Sequence, residues 1–208
     1  MRQASPLQDL QTQVPQPRHR IFMPQTLGER IKGAAWSVAR ALLFRTSPER
    51  FYRWRIWVLR LFGARIDWSA KISPSVHIDF PWNLRIDADA VICNDCILNC
   101  MGQVAIGERT RLSQHAHVCA GTHDYQRRDM MIVRCPITIG RNVWIAADAF
   151  VGPGVTVGDN CVLAARSRAF HDLAPGQVCV GEPARPRGPR FAGMSDLSAT
   201  PSTVDAPR

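Results

Sequence analysis

The side chains best suited to proton transfer, nucleophilic attack or metal ligation are six histidines and seven cysteines. Most gather in mid-chain, at Cys93, Cys96, Cys100, His115, His117, Cys119 and His123. His123 is the candidate general base. It closes the run Cys119-Ala-Gly-Thr-His-Asp-Tyr125 and directly precedes the longest break in an otherwise regular pattern, residues 124 to 138. Imidazole is the side chain that changes charge near neutrality, so it can accept the proton of a hydroxyl nucleophile. Two metal chemistries compete with this reading. His115, His117 and His123 are close enough in sequence to suggest a zinc hydratase, and Cys93, Cys96 and Cys100 suggest a metal or iron–sulfur cluster. The odd number of cysteines and the lack of a charged-then-apolar leader argue against a secreted disulfide framework, so reduced thiols and a cytoplasmic location are expected.

The residues around these groups repeat with a period of six. Ile66, Ile72 and Ile78 are followed by Ile86, Ile92 and Leu98, by Ile106, Leu112 and Val118, and by Ile139, Ile145, Val151, Val157, Leu163 and Ala169. Four residues after each comes a small residue or Val, with Trp82 the one exception before the final, degenerate hexad. A hexapeptide period marks a parallel β-helix, in which each unit is one short strand and stacked coils share an interior. The starts at 66, 86 and 106 are twenty residues apart because two extra residues follow every third hexad, and 124–138 also follows a third hexad. Three hexads therefore make one coil of a triangular prism, and all the interruptions leave from one corner. The interior has no room for a ligand, so a site belongs outside, on corners and loops. The repeat makes Cys96 a small inward residue and puts His117 and His123 on different corners. One chain alone therefore cannot bring both histidines to one metal ion.

Ahead of the repeat, Thr26 and Glu29 fit a capping box for a helix with Ile31, Ala35, Val38 and Leu42 on one face. A second helix is expected from Ser47 and Pro48, with Phe51, Trp54, Val58 and Leu61 on one face and Gly63 at its end. Between residues 30 and 62 eight basic residues face one acid, Glu49, and the whole chain carries a net charge of +9. These basic amphipathic helices are expected either to cap the β-helix or to contact a membrane surface peripherally. No nucleic-acid motif accompanies the charge, so nucleic acid is not expected as a partner. The expected organisation is a tail at 1–25, helices at 26–63, a β-helix at 64–191 and a second tail at 192–208, both tails being too poor in large apolar groups to order themselves.

Cys119–Tyr125, the insertion, and Ile139-Gly-Arg-Asn-Val-Trp-Ile145 together resemble the hexapeptide acyltransferases of the galactoside, maltose and nodulation type. Further segments narrow the likeness to the colanic acid biosynthesis acetyltransferases: Phe44–Pro48, Leu59–Ala64, Pro81–Leu84, Ala164–Asp172, Pro175-Gly176 and Gly181–Arg185. The resemblance spans about residues 30 to 190. It implies a mainly β, left-handed parallel β-helix that assembles as a homotrimer with sites between subunits. It also implies an O-acetyltransferase moving an acetyl group from acetyl-CoA to a hydroxyl of a sugar or lipid-linked oligosaccharide in exopolysaccharide biosynthesis, with no metal. By the same resemblance His123 is the catalytic base, Asn99 and Asp124 contact the acceptor, and Trp144, Ala147, Ala165, His171 and Arg185 hold the cofactor. His171 stands where relatives usually carry Lys. Two rival functions are a zinc hydratase of the carbonic anhydrase type built on the same helix, and a non-catalytic scaffold that binds membrane or sugar.

Overall fold

The computed structural model describes residues 26–191 and the backbone of Ile21–Phe22. From residue 65 onward each hexad forms a strand of two or three residues, and equivalent strands of successive coils pair in parallel to build three faces. The first face carries Arg65–Ile66, Leu84–Ile86, Val104–Ile106, Ile137–Ile139 and Thr156–Val157. The second runs from Lys71–Ile72 through Trp144–Ile145 to Val162–Leu163, and is closed by an antiparallel hairpin, Gln177–Gly181 with Ala184–Pro189. The third carries His77–Asp79, Ile97–Asn99, His117–Cys119, Phe150–Val151 and Arg168–Ala169.

All fifteen residues that lead the hexads point inward and none is more than 3% exposed. The two extra residues per coil do not make a loop as the spacing suggests. They lengthen the first-face strand, so that Leu84, Val104 and Ile137 add a second inward side chain. A strand alternates its side chains between faces, so adding two residues keeps the inward register.

The fourth residue of most hexads turns a corner in the left-handed backbone region. Asp89, Asp95, Arg109, His115, Asn142, Asp148, Asn160 and Arg166 have φ between 52° and 60°. Asn, Asp and His tolerate this conformation better than most residues, which gives His115 a purely architectural reason for its place.

Backbone N–H groups along the inward rows donate to carbonyls of the next coil, as in Asp67 to Ile86, Ser73 to Ile92 and Asp87 to Ile106. The first coil therefore has carbonyls at Ile66, Ile72 and Ile78 with no coil beneath them to supply a donor. Two helices cover that end. Helix α1 is Leu27–Ala39, continued by a π-helical turn Arg40–Phe44, and helix α2 is Tyr52–Leu61. Their side chains supply the missing donors: Arg60 to the Ile66 carbonyl at 3.3 Å, Arg55 to Ile72 at 2.6 Å and Trp36 Nε1 to Ile78 at 2.7 Å. Each face of the prism is thus capped at its first strand, which removes a ready template for edge pairing.

The Thr26–Glu29 capping box forms as expected. The apolar face read for α1 does not pack. Ile31, Ala35, Val38 and Leu42 are exposed, and Trp36, Ala39 and Phe44 are buried instead. The second helix starts later than Ser47. That residue is buried in the preceding turn, where its hydroxyl donates to the Phe44 carbonyl and accepts from Arg55. On α2 the buried side chains are Arg55, Ile56, Val58 and Leu59, while Phe51, Trp54 and Leu61 are exposed. Helical period alone finds a stripe, and the hydrogen-bonding needs of the first coil select which stripe turns inward.

Ile21–Phe22, placed in a tail by composition, pairs as an antiparallel strand with Ile132–Arg134. The rest of both expected tails, apart from these two residues, lies outside the described residues. Among the described residues no helix is long and apolar enough to cross a membrane.

Candidate active site

The insertion after His123 is largely ordered as a hairpin. Gly121–His123 pairs antiparallel with Ile132–Arg134, placing His123 opposite Ile132 at the outer end and Gly121 opposite Arg134 at the base. The base is packed tightly against the prism. A Cβ on Gly102 would lie 2.7 Å from the Ala120 carbonyl, and one on Gly121 would lie 2.8 Å from the Met101 sulfur. Between the strands the chain turns through Asp124–Met131. The Asp124 carboxylate accepts from the Gln126 N–H at 3.1 Å, and the Arg127 guanidinium holds Asp129 through two bonds of 2.9 and 2.8 Å.

Met130 in this turn has φ of 46°, a conformation costly for a residue with a long side chain. Its carbonyl lies 2.6 Å from His123 Nδ1. A carbonyl can only accept, so Nδ1 carries the hydrogen and the exposed Nε2 presents its lone pair outward. The hairpin thus sets the tautomer and the orientation of the His123 imidazole.

Asn99 lies at the root of the same corner, in register with Cys119 and Asp79, and its backbone carbonyl accepts from the Ala120 N–H at 2.9 Å. Its side-chain oxygen accepts from the Met101 N–H at 3.3 Å. Asn99 and Asp124 both have local turn-stabilising roles, and both flank the corner from which His123 projects.

The residues read as cofactor contacts fall elsewhere. Trp144 lies on the second face, where its Nε1 donates to the Ser113 hydroxyl at 2.9 Å. Ala147 and Ala165 stack at the corner after it, with the Arg166 N–H donating to the Ala147 carbonyl at 2.9 Å. Arg185 sits in the closing hairpin of that face, paired with Val180. His171 is set apart from these four and lies on the corner of His123, two coils further along. In a triangular prism the corner bearing His123 is opposite the second face. One chain therefore keeps His123 and the Trp144 surface on opposite sides of a packed core.

Sequence reasoning missed the group that anchors the hairpin. Glu29, in the first turn of α1, forms a bidentate ion pair with Arg134 at 2.8 Å for both bonds, the side chains being 21% and 12% exposed. Arg134 and its hydrogen bonds hold the Glu29 carboxyl below its ordinary range, despite the opposing effect of burial. The capping box gave Glu29 a local role only, and no periodicity marked Arg134.

The metal readings fit poorly with these positions. His115 is a backbone corner, His117 stands edge-on to Phe150 at 5.2 Å with its pKa lowered by burial, and His123 is bonded to Met130. Cys96 and Cys100 point into the core, where burial pushes the Cys96 thiol up to about 12 and the Cys100 thiol higher still than its usual range. Neither is a ready thiolate ligand. Among the described residues no three His, Cys, Asp or Glu side chains converge on one point.

Comparison with known proteins agrees with this architecture. The family model for the bacterial transferase hexapeptide (six repeats) matches residues 136–168. The chain is 42% identical over 157 residues, 76% of its length and 86% of the relative's, to WcaF of Escherichia coli (strain K12), whose assignment as a colanic acid biosynthesis acetyltransferase is itself provisional. It is 31% identical over 128 residues, 59% of its length and 62% of the relative's, to the galactoside O-acetyltransferase of that strain. In structure it matches a maltose O-acetyltransferase from Clostridium difficile 630 with a TM-score of 0.72 at 26% identity, covering 79% of this chain and 89% of that one. A galactoside acetyltransferase solved with coenzyme A gives a TM-score of 0.73 at 22% identity, covering 89% and 94%, which shows the shared fold. The fold is thus the left-handed β-helix of the acyltransferases. The chain belongs to the hexapeptide-repeat acetyltransferases, and among its relatives is WcaF.

Proposed function

We propose that this enzyme is an O-acetyltransferase that takes acetyl-CoA as donor and a sugar hydroxyl as acceptor. The observation that carries the reading is the bond from His123 Nδ1–H to the Met130 carbonyl, which leaves Nε2 as an outward-facing acceptor on an anchored hairpin. Nε2 takes the proton of the acceptor hydroxyl as its oxygen attacks the thioester carbon. The tetrahedral adduct then collapses, the C–S bond breaks, the acetyl ester forms, and the imidazolium returns the proton to the departing CoA sulfur. Asn99 and Asp124 contact the acceptor. Trp144, Ala147, Ala165 and Arg185 line the donor arm, and His171 replaces the basic residue expected near the nucleotide.

Because His123 and Trp144 lie on opposite sides of one prism, the complete site forms between copies, with the base from one chain and the donor surface from the next. Head-to-tail contacts of this kind close into a ring, here a homotrimer as the family resemblance implies. The acceptor is a sugar of an exopolysaccharide intermediate, lipid-linked during synthesis, as the likeness to WcaF suggests. The seven free thiols and the use of acetyl-CoA suit the cytoplasm.

The test is release of free CoA from acetyl-CoA by the full chain, with and without sugar acceptors, joined to mass spectrometry of the exopolysaccharide from a deletion strain. Acceptor-dependent release and loss of acetyl groups are expected. Absence of both, or full activity from a species that light scattering shows to be monomeric, overturns the reading.

A further inference from the structure

The helical cap has a second surface that the β-helix does not use. Ten of the fifteen large apolar side chains exposed among the described residues lie between Leu27 and Trp68. Along α1, Leu27, Ile31, Val38 and Leu42 form a stripe of helical spacing, and each is between 60% and 72% exposed. The stripe runs into α2, because the Trp54 Nε1 donates to the Leu43 carbonyl at 2.8 Å. On α2 the exposed apolar side is Phe51, Trp54, Trp57 and Leu61, with the two indoles stacked at 5.2 Å.

The charge bordering this surface is predominantly of one sign. Arg30, Lys32, Arg45, Arg50, Arg53 and Arg60 are exposed there, against Glu49 and Asp67. The nearby acid Glu29 is committed to Arg134, and Arg55 is buried under the helix. Two of the cations lie over the exposed Trp68 ring, Arg53 at 5.8 Å and Arg60 at 4.7 Å. Aliphatic and indole groups flanked by arginines match the boundary between acyl chains and anionic head groups.

We infer that the outer face of the α1–α2 cap docks this enzyme onto an anionic phospholipid bilayer. The cap and membrane roles are two sides of one element. The inner face of α2 satisfies the first-coil carbonyls through Arg55 and Arg60, and the outer face is left for lipid. In a trimer with parallel prism axes, three such caps face the same way, so docking is multivalent. The cap reaches the His123 hairpin through the Glu29–Arg134 pair on α1, whereas the cap side chains varied below lie on α2, away from that pair. Acyl transfer to a soluble acceptor is therefore independent of docking, and failure of one reading is distinguishable from failure of the other.

The experiment is flotation of the full chain with vesicles of phosphatidylglycerol and phosphatidylcholine, against vesicles of phosphatidylcholine alone. Binding to the anionic vesicles is expected at low ionic strength, declining as salt rises. Trp54→Ser/Trp57→Ser and Arg53→Glu are each expected to reduce the bound fraction about tenfold, whereas Arg109→Glu, the same charge change on a distant prism corner, leaves it unchanged. Oligomeric state is measured on every variant. The inference is overturned by no binding to anionic vesicles, by equal loss from Arg109→Glu, which marks a diffuse charge effect, or by dissociation of the tryptophan variant into monomers, which marks the face as a contact between copies.

Discussion

The prism and the structures attached to it obey different rules. In the prism the inward positions follow a period of six, to which the strand extensions add Leu84, Val104 and Ile137, and all fifteen lead residues are buried as that period requires. In the helical cap the most regular apolar stripe, Ile31, Ala35, Val38 and Leu42, faces outward. The difference is one of satisfaction. A coil of the prism makes its hydrogen bonds with the next coil, so its own repeat specifies its packing. The cap exists to complete the orphan carbonyls of the first coil, and Trp36, Arg55 and Arg60 were selected by that need.

The largest effects are expected where prism and hairpin are each attacked at their defining residue. His123→Ala should lower the rate of acetyl transfer by about two to four orders of magnitude with no change in melting temperature, as read by steady-state kinetics and calorimetry. Near-normal turnover in this folded variant ends the assignment of His123 as base. Leu98→Ala, in the middle of the packed core, should cost about 2–5 kcal/mol in chemical denaturation. A cost below about 1 kcal/mol would mean that the core is not close-packed there.

An intermediate effect is expected at the ion pair joining cap to hairpin. Arg134→Ala strands a half-buried Glu29 carboxylate and should cost about 1–3 kcal/mol. By loosening the strand paired with His123 it should also lower kcat about ten- to a hundredfold with little change in KM for acetyl-CoA. Unchanged kcat would reduce the pair to a purely structural tie.

The pair also has a pH signature. Because Arg134 depresses the folded-state pKa of Glu29, its contribution is fully present above the unfolded carboxyl pKa and is lost as pH falls through the lower folded value. The stability gap between the native chain and Glu29→Gln should therefore be constant at neutral pH and close on acidification. A gap that widens in acid contradicts the sign.

The smallest effect is expected on the exposed α1 stripe. Ile31→Ser should change stability by no more than about 0.5 kcal/mol, since that side chain is 63% exposed. A large loss would show that another copy covers the stripe.

The sequence by itself determined the prism: its three-hexad coil, its inward residues and the corner from which the insertion leaves. A strand repeat states its own register, because each residue's face follows from parity. His123 was legible as well, from its place before that insertion and from the resemblance it helped to carry. Only the tertiary structure decided how its imidazole is held. The Met130 carbonyl on Nδ1, the left-handed turn that aims it and the Glu29–Arg134 tie join groups with no shared period, one pair 105 residues apart. Tertiary structure also turned the α1 stripe outward, left only Val58 of the expected α2 face buried, and moved the start of α2 past Ser47. Those choices depended on unpaired carbonyls that exist only once the first coil has formed.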